Sequence, residues 1–550
     1  MPNNDYSDWA HPGQVGVEAR TNKEVTDRDN LVIWGSGASI LFSALRRPTI
    51  QQITKTTMST TNDEKESGKN GEKSIPTDLI SRTNHTTTIG GRALSYTATT
   101  GQIILKAEDK ETGEKPKAAI FFVAYTLDQP EDISEAEHAA ARPITFAFNG
   151  GPGSPSIWLH LGLLGPRRVE LERDGHPIPP PYRMIDNEFS LLDKTDLVFI
   201  DPVTTGYSRA VPGEEDKQFH GFKPDIESVG DFIRLYTSRY QRWSSPKYLI
   251  GESYGTTRAT GLSGYLQERH GLYLNGIMLV STVLNFMTLA FDPGNDLPYL
   301  LFLPTYAATA WYHKRLDNEL QADLGRTLAE VEAFAQGEYA TALIQGDALP
   351  ADAKAAIVAK LSRYTGLSAR YIESTNLRIN IYRFVKELLR DERRTVGRLD
   401  SRYIGIDRNA AGESIEYDPS YAIIQGPYSA MLNDYIRRDL QFESDLPYEV
   451  LSGRVYPWKF EENQNSYVNT GETLRKAMSM NPHLRVFVAN GYYDLATPYF
   501  ATQYTFNHLE LDESLRSNIT MTYYEAGHMV YIHDPSLEQL KKDLAHFLDA

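Results

Sequence analysis

Residues Gly251-Glu252-Ser253-Tyr254-Gly255 hold a serine between two glycines in the spacing G-x-S-x-G. With 39 glycines in 550 residues, one such match arises by chance roughly 0.2 times per chain, so the bare motif decides little. Its setting decides more. The apolar run Tyr248-Leu249-Ile250 precedes it and a helix-like stretch follows Gly255. That is the strand–turn–helix context in which a serine is held as a nucleophile. The glycines permit the sharp turn and keep side chains away from the serine. The bland alternative is a serine in an ordinary Gly-rich turn. A serine hydroxyl attacks poorly at neutral pH unless a base takes its proton and an acid orients that base. Asp494, in RVFVANGYYDLATP, and His528, in MTYYEAGHMVYIH, both stand just beyond strand-like runs. They follow the serine in the order Ser, Asp, His. His533 and His508 are rival bases and Asp512 a rival acid. His528 is preferred because Gly527 places it in a turn.

The segment FAFNGGPGSPS follows another buried-type strand. Asn149, Gly150, Gly151 and Gly153 leave backbone N–H groups bare and able to approach a ligand. With the N–H of Tyr254, the residue after the serine, they could stabilise a developing oxyanion. Taken alone, the segment also reads as a plain Gly/Pro turn.

The elements that must carry these residues come next. GRALSYTATTGQIIL and KAAIFFVAYTL read as antiparallel strands. PITFAF, DLVFI, GIMLV and RVFVAN are short, continuously apolar runs of the kind found in a parallel sheet covered on both faces. DIESVGDFIRLYTSRYQRW, between DLVFI and the serine strand, has helical spacing and completes a β-α-β unit. From about residue 286 to 455 the character changes to amphipathic helices, such as NELQADLGRTLAEVEAFA and AKAAIVAKLSRY. RDERRTVGR within this block reads as a solvated charged face. We therefore expect an α/β core in two parts, 86–285 and 456–550, interrupted by a helical cap over 286–455. Residues 1–85 we expect to be a polar, poorly ordered lead. Its single apolar run, 31–45, is too short to span a bilayer. It reads either as an export signal or as upstream of a true start at Met58.

Composition narrows the function. The chain has 56 Lys+Arg against 72 Asp+Glu, a formal net charge of −16. That argues against non-specific binding of nucleic acid or anionic membrane. With no cysteine, disulfides, thiol catalysis, iron–sulfur clusters and cysteine zinc sites are excluded.

Five motifs in order, NGGPG, DPVTTGYS, GESYG, NGYYD and GHM, span residues 149–529. Together they resemble the serine carboxypeptidase family of α/β-hydrolases. The resemblance implies an α/β-hydrolase fold, a mostly parallel central sheet with an inserted helical cap, and release of C-terminal amino acids from peptides through an acyl-enzyme, without metal or cofactor. It implies Ser253, Asp494 and His528 as the triad, Gly151 and Tyr254 as oxyanion donors, and Asn149, Gly150 and Glu252 as contacts to the substrate, Asn149 and Glu252 holding its terminal carboxylate. Ser208, in the near-miss GYSRA, falls in the family's second loop and is not the expected nucleophile. The resemblance leans towards a periplasmic or secreted location, with cytoplasmic as the alternative; oligomeric state stays open.

Three positions depart from the family pattern. Ser154 stands where a cysteine is usual, Ala147 where a tryptophan often stands, and Leu163 where the glutamate partner of Glu252 is expected. If WLHLGLLGP is α-helical, His160 and Leu163 share a face, and a protonated His160 could supply the missing contact. An esterase or acyltransferase on the same scaffold is the alternative activity, and an inactive binding module a third, non-enzymatic reading.

Overall fold

A computed structural model describes residues 76–129, 134–460 and 466–550. The run at 31–45 and Met58 lie outside these. The described chain is built on a ten-stranded sheet. Its strands are β1 (Leu79–Ile89), β2 (Arg92–Asp109), β3 (Gly113–Leu127), β4 (Ile144–Phe148), β5 (Asp196–Ile200), β6 (Lys247–Ser253), β7 (Gly276–Thr282), β8 (Arg485–Gly491) and β9 (Ile519–Tyr524), with Arg209–Ala210 paired to β3. In space the order is β1-β2-β3-β5-β4-β6-β7-β8-β9. The first three strands form an antiparallel meander, and β3 is antiparallel both to β5 and to Arg209–Ala210; β5, β4, β6, β7, β8 and β9 are parallel to one another.

Strand β1 begins at Leu79, so the expected boundary of the lead at residue 85 cuts through a strand. Its sequence, LISRTNHTTTI, is exposed at nearly every second position, and such a polar edge strand carries little apolar signal. Gly90 and Gly91, both at positive φ, close the hairpin to β2.

Strands β4 and β5 are buried at every position because helices cover both faces. On one face Phe146, Phe148, Leu249 and Leu279 pack with helices α1 (Phe222–Arg239), α2 (Tyr254–His270) and, from after the cap, Gly471–Met480. On the other, Ala147, Phe199, Ile250 and Phe487 meet a π-helix, Leu159–Leu164, and the closing helix Asp534–Asp549.

The cap has its own core. Helices α3 (Leu297–Tyr312), α4 (Leu324–Phe334), α5 (Ala351–Thr365) and α6 (Ile381–Glu387) bury Phe302, Tyr306, Leu328, Leu361 and Phe384 together. The rings of Tyr306 and Phe384 stack 4.1 Å apart. Helix α7 (Pro419–Arg438) differs: Ile424, Tyr428, Leu432 and Ile436 belong to the core on the sheet. The block expected as cap thus gives its last helix to the hydrolase core. The cap meets the core at Tyr254, Val283, Tyr493 and Leu495, residues next to the serine turn and to Asp494. No described helix is long and apolar enough to cross a membrane.

Candidate active site

Strand β6 ends at Ser253 and α2 starts at Tyr254. Ser253 has φ 60° and ψ −131°, a conformation that a residue with a Cβ adopts only at a cost of about 1–3 kcal/mol. The flanking glycines make the turn possible. A Cβ on Gly251 would lie 2.1 Å from the carbonyl oxygen of Gly255, and one on Gly255 would lie 2.7 Å from that of Phe148. Tyr254 opens the helix, and the first N–H groups of a helix have no intrahelical acceptor.

The loop after β4 lies against this turn. A Cβ on Gly150 would be 2.4 Å from the Tyr254 nitrogen, and Gly151 has φ +104°. The Gly-rich segment therefore brings its backbone beside the N–H after the serine, as an oxyanion site requires. The Asn149 side chain accepts from the Leu159 N–H (3.0 Å), and its buried amide lies beside the Glu252 carboxyl and the Tyr531 hydroxyl. Arg258, which the sequence did not single out, holds this loop. It is buried on α2, donates to the Asn149 carbonyl (2.5 Å) and pairs with Asp225 at 2.8 Å.

Asp494 and His528 come together. His528 Nδ1 and Asp494 Oδ2 are 2.7 Å apart, and both residues are buried. Asp494 also accepts from the N–H groups of Ala496 (2.8 Å) and Thr497 (3.0 Å) and from the Thr497 hydroxyl (2.7 Å). Burial alone would lower the His528 pKa, but the Asp494 carboxylate outweighs it and the net shift is upward. The histidine loop is tied to the serine strands: the His528 carbonyl accepts from Ser281 Oγ at 2.5 Å. Ser281 lies on β7 between the register partners of Glu252 and Ser253. No direct hydrogen bond joins Ser253 to the imidazole among the described residues. The rivals lie elsewhere: His533 Nδ1 meets Ser536 (2.8 Å), His508 stacks on Tyr504, and Asp512 caps an exposed turn. Ser208 is buried and committed, donating to the Asp201 carbonyl (2.6 Å) and accepting from the Phe121 N–H (2.8 Å).

Glu252 is buried, and loss of hydration raises its pKa to about 7, against the attraction of His528 and a hydrogen bond from Tyr531. The Tyr531 hydroxyl donates to Glu252 Oε2. Tyr531 lies three residues beyond His528 and was not among the expected site residues.

The structure overturns the role expected of His160. The segment is a π-helix, with the Gly165 N–H bonded to the His160 carbonyl five residues back. A π-helix does not bring residues three apart to the same face. His160 instead lies in the core, 2.7 Å from the Tyr125 hydroxyl and stacked on Phe199 at 4.3 Å. Burial lowers its pKa to about 3, so it is neutral and offers no cationic contact. Gly162, in the same turn, gives room to Tyr531: a Cβ there would lie 2.4 Å from the Tyr531 ring. A phenol thus partners Glu252 beside the place where a second glutamate was expected.

A cavity opens beside Ser253, walled by Gly151, Tyr254, Phe286, Tyr456, Trp458 and Thr497. Arg398 also lines it. It is the last residue of RDERRTVGR, which the sequence reading placed on a solvated face. Its backbone is pinned beside the acid, since Leu495 N donates to its carbonyl (3.1 Å).

A family model described as serine carboxypeptidase matches residues 111–534. No curated protein matches the chain in sequence. Among solved structures, a prohormone-processing carboxypeptidase of Saccharomyces cerevisiae, Kex1(delta)p, is similar at 17% identity and a TM-score of 0.52, over 83% of this chain and 91% of that one. A thermostable carboxyl esterase of Bacillus coagulans matches at 12% identity and a TM-score of 0.32, over 82% and 98%. The structural likeness shows the α/β-hydrolase fold, and the family match covers well over half of the sequence: the chain belongs to the serine carboxypeptidase family.

Proposed function

We propose that Ser253, Asp494 and His528 form the triad of a carboxypeptidase that releases C-terminal amino acids through an acyl-enzyme. The observation that supports this most is the buried 2.7 Å contact between Asp494 and His528, on a loop bonded to the strands that carry Ser253. Asp494 holds the Nδ1 proton, leaving Nε2 to take the Ser253 proton as Oγ attacks the carbonyl of the last peptide bond. The N–H groups of Gly151 and Tyr254 receive the oxyanion. The imidazolium then passes its proton to the leaving amine, the C–N bond breaks, and the terminal amino acid departs. Water activated by the same imidazole attacks the acyl ester and regenerates the serine. Asn149 Nδ2 and the protonated Glu252 carboxyl donate to the terminal carboxylate.

The test is incubation with N-blocked dipeptides, their C-terminal amides and aryl esters, with mass-spectrometric detection of products. Release of free amino acids, favouring the free acid over the amide, supports the reading. Ester turnover without amino-acid release points to the esterase or acyltransferase alternative, and turnover of neither to a binding module.

A further inference from the structure

The cavity beside Ser253 is walled by aromatic and aliphatic side chains, among them Tyr254, Phe286, Tyr456 and Trp458, with Arg398 also in its lining. Other well-buried arginines in the chain are paired: Arg258 with Asp225, Arg402 with Asp400, and Arg142 and Arg242 with Asp196. The half-buried guanidinium of Arg398 makes no hydrogen bond or ion pair among the described residues, although its backbone is held on both sides. Its N–H donates to Asp418 (3.1 Å), its carbonyl accepts from the Leu495 N–H (3.1 Å), and the next carbonyl, of Leu399, accepts from the His528 N–H (2.7 Å). A guanidinium that is partly stripped of water and has no ion partner among the described residues, on a backbone held beside the acid and the base, is well suited to receive a carboxylate. Its charge reaches the site, acting to lower the His528 pKa.

The cavity lining includes Gly151 and Tyr254 but neither Asn149 nor Glu252. If those two hold the terminal carboxylate, this cavity lies on the opposite side of the scissile bond and receives the residue that becomes the acyl group. We propose that Arg398 makes this pocket selective for an acidic residue, aspartate or glutamate, in the penultimate position of the peptide. The aromatic walls take the methylene stem and the guanidinium takes the carboxylate. The inference rests on the carboxypeptidase reading above.

The experiment compares kcat/KM for benzyloxycarbonyl-Glu-Leu, -Gln-Leu and -Lys-Leu, their C-terminal amides, and the matching benzyloxycarbonyl-Glu and -Gln 4-nitrophenyl esters, in wild type, Arg398→Gln and Arg398→Glu. Glutamate and glutamine have the same shape, so their ratio reads charge alone. Wild type should favour Glu over Gln about ten- to a hundredfold, the range for a charge-assisted hydrogen bond. Arg398→Gln should bring the ratio near one, and Arg398→Glu should turn the preference towards Lys. A Glu/Gln ratio at or below one in wild type, or an unchanged ratio in Arg398→Gln, overturns the proposal. So does a variant that keeps the Glu/Gln ratio but loses preference for the free acid over the amide, which would assign Arg398 to the terminal carboxylate. The ester arm separates the two readings: a Glu/Gln ratio that depends on Arg398 in the esters, with no amino acid released from any peptide, upholds the pocket and removes the carboxypeptidase.

Discussion

The phenol of Tyr531 donates to Glu252 Oε2, giving this buried carboxyl a neutral partner where a second carboxyl was expected. A pair of buried carboxylic acids can share one proton, so that one member stays neutral well above the ordinary range. Here desolvation does most of that work, raising Glu252 to about 7, while the Tyr531 hydrogen bond opposes it by favouring the charged form.

The consequence is a pH dependence of known sign. Below about 7, Glu252 is protonated and can donate to a substrate carboxylate; above it, two like charges meet. KM for free-acid peptides should therefore rise as pH passes this point, with little change for amidated peptides. Glu252→Gln should flatten the rise, because an amide donates without titrating. Tyr531→Phe removes a contact that favours the ionised form, so the rise should move to higher pH. Steady-state kinetics between pH 5 and 9 test all three; a midpoint in Tyr531→Phe that stays put or falls would mean that Tyr531 does not act on Glu252.

Ser253→Ala should lower kcat by about 10⁶, the scale of losing a triad serine, with the thermal unfolding midpoint close to wild type. A fluorophosphonate probe should label Ser253 alone, as peptide mapping would show. Ser208 should stay unlabelled, because its hydroxyl already bonds the Asp201 carbonyl and the Phe121 N–H. Label on Ser208 would refute the assignment of the nucleophile.

Asp494→Asn keeps the shape but lets the amide favour the wrong His528 tautomer, and kcat should fall by about 10⁴. Asp512→Asn is the matched control, since that residue only caps a turn through Ser514. Near-normal turnover in Asp494→Asn would place the orienting acid elsewhere.

The site residues that were legible in the sequence share one trait: each is announced by glycine at the end of an apolar strand. Gly251 and Gly255 are forced by close backbone contacts, and Gly527 by a Cβ position 2.4 Å from the Asp400 side chain, so close packing wrote itself into residue type. Tyr531 carried no such mark, and the glycine before Arg398, Gly397, closes a strand of only two residues, Thr395–Val396. An arginine closing a charged run differs from its exposed neighbours only through the fold, which turns residues 395–396 into a short strand buried under the cap. Tyr531 depends on the room left by Gly162, about 370 positions earlier in the chain. The α/β core was legible because its central strands are continuously apolar, whereas β1 alternates and hid in the polar lead. His160 was misread because an α-helical period was applied to a π-turn, where i and i+3 diverge.

That histidine gives the last prediction. His160 is buried against Phe199 and Tyr125, and its pKa falls from 6.5 to about 3. The folded protein keeps it neutral while the unfolded chain protonates it below 6.5. The unfolded state therefore binds more protons in that window, and stability falls as pH drops from about 6.5 towards 3. His160→Ala removes a packed ring and should cost about 2–4 kcal/mol, the range for emptying a core position. His160→Phe keeps the stack but leaves the Tyr125 hydroxyl with Tyr435 alone, at 3.1 Å. It should lose less, and its acid sensitivity between pH 6.5 and 4 should be weaker than wild type. Denaturant unfolding at several pH values measures both effects. In kinetic assays with either variant, free-acid and amidated peptides should be affected in the same proportion, because the imidazole sits in the core, hydrogen-bonded to Tyr125, and does not touch Glu252. A loss confined to free-acid peptides would return His160 to the carboxylate site and contradict its place in the core.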